Sequence, residues 1–199
     1  MARSLAREVG TVFEGHSEVT EKRGMHPQKL ALVWINLLGG TAVLASYAWN
    51  LLAHPEAGDD FWGGVPAAMR SGYVVSMLLA ATGYFAFTRF IFRLRPVHVK
   101  IADRFDYRSF HLIYALILVP SALWMPLTFA MIQDPSAGLW FAICATLAAV
   151  GTGSLLLVTA LLWMHPRTPK LSYRLAVVGS VAFAFQTAVL DALVWTAYF

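Results

Sequence analysis

The chain has 199 residues, of which 58% are hydrophobic and only 13% charged, with a net charge of +4. A soluble domain carries about a quarter charged residues, and here the apolar residues are segregated into long runs, so a water-soluble globule is excluded. The 15 Lys and Arg are segregated too, which argues against nucleic-acid binding as the purpose of the basic excess.

Residues 1–29 form a polar N-terminal segment. Leu5, Val9, Val12 and Phe13 fall on one helical stripe within it, which suits a short helix lying on a membrane surface; a simple tail fits the composition equally well. Arg3, Arg7 and Glu8 interrupt the start before any apolar core forms, so a cleavable signal peptide is not expected.

From residue 30 onward, five apolar runs follow, at 30–53, 71–93, 109–132, 138–164 and 174–197. Each is long enough to cross ~30 Å of hydrocarbon at ~1.5 Å per residue, and none leaves a polar face for water. The expected fold is therefore an all-α membrane protein, a single domain of five transmembrane helices over 30–199.

The first run contains Asn36, Gly39, Gly40, Thr41, Ser46, Tyr47 and Asn50, small and polar residues that let a neighbour approach closely. The connection after it carries Glu56, Asp59 and Asp60, an aromatic pair at Phe61 and Trp62, and the helix breakers Pro55, Gly58, Gly63, Gly64 and Pro66. The second run ends in the strongly basic stretch 89–108. The third contains Pro120 and Pro126, each of which removes a backbone hydrogen bond and favours a bend. The fourth has a close-packing patch at Gly151, Gly153 and Ser154.

Charge placement predicts the topology. Fourteen of the 15 basic residues lie in the N-terminal segment or around the second-to-third and fourth-to-fifth junctions; only Arg70 lies on the other side. By the positive-inside rule the N-terminus is cytoplasmic, and an odd helix count puts Phe199 outside. The expected location is a bacterial cell membrane.

Two positions stand out for chemistry. Asp191 lies about six residues, or ~9 Å, before the end of the last run, and a carboxylate at that depth is costly unless paired, hydrated or protonated. At α-helical spacing Thr187 and Trp195 share its face. Trp124 lies about eight residues, ~12 Å, inside the end of the third run, deeper than an interfacial belt position. With Pro126, Thr128, Phe129, Tyr47 and Asn50 it would line an outer-half pocket, aromatic with a few polar groups, the usual make-up of a site for a flat apolar ligand. The bland alternative for Asp191 is a helix–helix hydrogen bond, for instance to Asn50 or Ser76.

Catalytic and metal signals are missing from the pattern. The lone Cys144 makes no internal disulfide. The six histidines lack a paired ligand spacing, and no phosphate loop, serine elbow or paired carboxylates occur. No catalytic residue and no metal ligand is expected.

Trp124-Met125-Pro126-Leu127-Thr128-Phe129 resembles the W-x-P-[IL]-x-F signature of the translocator protein family, the tryptophan-rich sensory proteins. Thr187 to Trp195, TAVLDALVW, is similar to that family's T-x-x-L-N-x-x-V-W segment, with Asp191 where the family has asparagine and Ser121 where it has asparagine ahead of the helix 3 tryptophan. The resemblance implies a five-helix receptor or carrier for porphyrins, sterols or isoprenoid-like molecules, often homodimeric, with Trp124, Pro126, Phe129, Asp191 and Trp195 bordering the pocket. A tetrapyrrole would then be a ligand and membrane lipid a partner. Two alternatives stand beside it: an accessory subunit of a larger membrane complex, and a membrane enzyme acting on a lipid with Asp191 as acid or base.

Overall fold

The computed structural model describes residues 25–53 and 58–199. The stripe Leu5, Val9, Val12 and Phe13 lies outside the described residues, as does 54–57. Five helices are long and apolar enough to cross a membrane. They are α1 (Pro27–Ala53), α2 (Ala67–Arg93), α3 (Arg108–Gln133), α4 (Ala137–Trp163) and α5 (Lys170–Tyr198). Each expected run is present; all start one to four residues earlier than hydropathy alone indicates, with Pro27, Pro66 and Ser136 at the starts of the first, second and fourth, and the fourth ends one residue short, at Trp163. Ser136 caps α4, its hydroxyl accepting from the Leu139 amide at 3.3 Å. α3 runs unbroken through both Pro120 and Pro126.

Close packing of α2 on α5, α3 on α4, α1 on α3 and α4 on the second half of α5 arranges the helices in the spatial order α1–α3–α4–α5–α2. Small residues set these contacts. A Cβ on Gly179 would come within 2.7 Å of the Gly83 Cα, so α2 and α5 cross backbone to backbone. A Cβ on Gly39 would meet Leu118 at 2.9 Å, and one on Gly151 would meet the Ala188 Cα at 3.0 Å. These are the close-packing roles expected of glycines in membrane helices.

One end of the bundle is built around Phe87, Phe90, Tyr107, Phe110, Tyr114 and Leu161, all fully buried. At that end the basic connection after α2 does more than lie as a charged loop. Its Lys100–Ile101 (β1) pairs antiparallel with Met164–His165 (β2) in the α4–α5 connection. The two junctions that carry most of the basic charge are thus tied together, because an even number of helices separates them and both emerge on one side. At the opposite end the chain terminus closes on the α1–α2 connection: the Gly64 amide donates to the Tyr198 carbonyl at 2.9 Å. Gly63, at φ +53°, occupies left-handed backbone that suits glycine, and a Cβ there would collide with Phe199. Arg70, the one Lys or Arg of this end among the described residues, is held locally, pairing with Asp59 at 3.1 Å and lying over the Trp62 ring.

Candidate functional site

Tyr47 on α1, Trp124 on α3 and Trp195 on α5 come together. The Tyr47 and Trp124 rings are 5.8 Å apart, and Trp124 meets Trp195 edge-on at 5.6 Å. Trp195 stacks on Phe199 at 4.3 Å, and Phe199 stacks on Trp140 of α4. An aromatic row therefore crosses four helices. Offset and edge-on ring pairs of this kind add to simple area burial. Its far side is closed by the protein: the Trp195 indole donates from Nε1 to the Phe61 carbonyl at 2.9 Å. The aromatic pair of the α1–α2 connection thus splits, Phe61 turning inward against Met125 and Phe129 while Trp62 packs edge-on against Tyr73. Pro126 is exposed on the outside of the bundle, and Phe129 is half-buried.

Asp191 lies four residues before Trp195 on α5. Neither Asn50 nor Ser76 serves it. Its hydrogen-bond partner is Gln186, whose Nε2 donates to Oδ1 at 2.8 Å. The reason is local geometry. From Phe185 to Trp195 the last helix is π-helical, and in such a helix the turn closes at i, i+5 rather than i, i+4. Gln186 therefore lines up with Asp191, and Thr187 is rotated away. The Thr187 hydroxyl donates instead to Ser154 of α4 at 2.8 Å, and Ser154 in turn donates to the Gly151 carbonyl at 2.7 Å. Thr187 joins two helices rather than sharing the face of Asp191. Asn50 is buried and donates to the Ser46 carbonyl of its own helix at 2.7 Å. Reasoning from a 3.6-residue period missed Gln186; only the π-helical register reveals it.

Three buried polar atoms of this region have no protein partner: Trp124 Nε1, Thr128 Oγ1 and Gln186 Oε1. Trp124 and Thr128 are one turn apart on α3.

A cavity of about 660 Å³ lies adjacent, between α1 and α2 and floored by α3. Ser121, three residues before Trp124, lines it, as does Phe183 of α5. Leu37 and Leu44 of α1 and Phe85 of α2 flank it and are exposed, so it opens sideways from the bundle. Its polar groups are few and largely engaged. Tyr84 donates to Asn36 Oδ1 at 2.6 Å, bridging α2 to α1 across the cavity, while Asn36 Nδ2 donates to the Leu32 carbonyl. Thr88 and Tyr114 share a hydrogen bond at 2.8 Å, and Ser121 donates to the Ile117 carbonyl. The sequence pointed to Asn36, Gly40 and Thr41 only as packing residues of the first helix; they line this space because α1 packs on α3 and leaves its flank toward α2 open.

No family model, curated protein or solved structure matches the chain.

Proposed function

We propose that this chain is a membrane-embedded binding protein or carrier for an apolar, flat or elongated ligand of the porphyrin, sterol or isoprenoid type. The observation that carries the reading is the cavity between α1 and α2. Its volume of about 660 Å³ falls within the range of small-molecule sites, and its lining is apolar with a few polar groups. The likeness of the Trp124–Phe129 and Thr187–Trp195 segments to the translocator protein family points the same way, and with it a homodimer. The topology we propose has the N-terminus in the cytoplasm and Phe199 outside, in a bacterial cell membrane, since the basic residues gather at the β1–β2 end.

The test is purification in mild detergent followed by mass spectrometry of co-purifying small molecules, with titration of protoporphyrin against the emptied protein. A stoichiometric apolar passenger or saturable protoporphyrin binding is expected. Their joint absence would sink the proposal.

A second reading, an accessory subunit of a larger membrane complex, is favoured by one observation: Thr187, Ser154 and Trp195 are all used up in contacts between elements of this chain. It predicts a stable partner protein and no bound small molecule in the same purification.

A further inference from the structure

The cavity between α1 and α2 does not end in apolar side chains. Phe85, Thr88 and Phe92 of α2 line it, and the same three residues also border an open depression on the surface of α2. The two therefore adjoin along α2. The remaining residues of the depression are Arg89 and Arg93. These arginines are four residues apart and share one helix face. Both are exposed, and among the described residues neither makes an ion pair; Arg93 has only a long contact, 3.4 Å, to the Ser172 hydroxyl. An apolar groove open to the side thus leads to two unneutralised guanidinium groups at one end.

Resting on the ligand-binding reading above, we infer that the ligand is an anionic amphiphile, a single apolar body in the α1–α2 cavity carrying one carboxylate or phosphate held by Arg89 and Arg93. Charge complementarity selects the head: a planar guanidinium presents paired donors that match a carboxylate or phosphate, and such charge-assisted bonds are stronger than neutral ones. The cavity selects the body, having room for one molecule of drug-like size. Entry is from the bilayer, through the flank marked by exposed Leu37, Leu44 and Phe85.

The experiment uses the full-length protein in nanodiscs of phosphatidylcholine, with cis-parinaric acid and its methyl ester as probes read by energy transfer from tryptophan. The two share one apolar body and differ in a single charge. The acid is expected to bind saturably and about tenfold more tightly than the ester, the increment of a charge-assisted hydrogen bond. Arg89→Gln with Arg93→Gln should bring the acid to the ester's affinity and leave the ester unchanged, so ester binding reports that the variant is folded. Gly40→Leu should weaken both probes, since it fills the cavity from a position where an added Cβ meets nothing within 4 Å. Equal affinity for acid and ester, or an unaltered acid affinity in the double arginine variant, overturns the anionic assignment while leaving the ligand-binding reading intact. Displacement of the acid by phosphatidylglycerol in the disc keeps the anionic head but overturns the single-bodied ligand, assigning the groove to bilayer phospholipid. Absence of saturable binding by either probe, or binding unaffected by Gly40→Leu, overturns the occupancy of the cavity itself.

Discussion

Gln186 and Asp191 are hydrogen-bonded across five residues of one helix, amide Nε2 to carboxylate Oδ1 at 2.8 Å. In an α-helix, residues four apart would share a line and residues five apart would not. The pairing is a direct product of the π-helical register from Phe185 to Trp195. Wide turns of this kind are uncommon and gather at functional sites. Here the register also sends Thr187 to Ser154 and Trp195 to the Phe61 carbonyl, so one local change of pitch assigns three side chains to three different neighbours.

The Trp195 indole is the pin that fixes the α1–α2 connection to the last helix. Trp195→Phe keeps most of the stacking on Phe199 but leaves the buried Phe61 carbonyl without its donor. A loss of about 1–3 kcal/mol is expected. Thermal unfolding in detergent should register it, and proteolysis should become faster near residues 58–64. An unchanged melting temperature with unchanged cleavage would remove this pin.

The α2–α5 crossing depends on two glycines. Gly83→Leu would drive a side chain into the Gly179 backbone, which has no flexible atoms to yield. The bundle should fail to assemble or lose several kcal/mol, within the upper range of overpacking. Gly72→Ala is the control, since an added Cβ there meets nothing within 4 Å; it should be neutral or gain up to about 1 kcal/mol from helix propensity. Equal stability of the two variants by thermal unfolding would show that the crossing is not close-packed in solution.

Much of this architecture is readable from residues alone. Five spans emerge because the bilayer sets a length that few soluble helices reach, and the glycine patches at Gly39, Gly151 and Gly153 all prove to be contact points. The β1–β2 pairing was not legible, since two-residue strands carry no periodic signal. Nor was the Gln186–Asp191 pair, because a sequence gives no sign of a change from 3.6 residues per turn. The α1–α2 cavity escaped for a different reason: it is defined by which helices stay apart, and helix order is a tertiary property.

Topology follows from the segregated basic residues. Reporter fusions after Phe199 and ahead of the N-terminal segment should report opposite sides, with the N-terminus cytoplasmic. Replacing the cluster Arg93, Arg95, Lys100 and Arg104 by Gln should weaken or mix that orientation. Two fusions reporting one side would contradict an odd number of spans.

Trp124 lies three residues after Ser121, which lines the cavity, and its buried indole N–H is unpartnered. Saturable quenching of tryptophan fluorescence by protoporphyrin is expected, and Trp124→Phe should lose most of the saturable part. Equal quenching in both proteins would place the chromophore away from α3.

Asp191 separates the functional readings. Asp191→Asn keeps the shape and an oxygen that accepts from Gln186, and under the proposed likeness to the translocator protein family asparagine stands at the matching place. The Asn variant should fold normally and bind ligand within about tenfold, ~1.4 kcal/mol. Asp191→Leu strands the buried Gln186 amide, whose Oε1 already lacks a partner, and should cost about 1–3 kcal/mol of stability. A binding protein shows this graded pattern, mild in Asn and severe in Leu. An enzyme using Asp191 as acid or base on a lipid would instead lose nearly all turnover in the Asn variant, because an amide neither takes nor gives the proton. An accessory subunit would show no ligand phenotype in either variant and would fail only in assembly with its partner. Thermal stability, protoporphyrin affinity and partner co-purification measured on the same two variants distinguish the three. Abolition of binding by Asn as complete as that by Leu would make the charge itself essential, and the asparagine analogy would then be wrong.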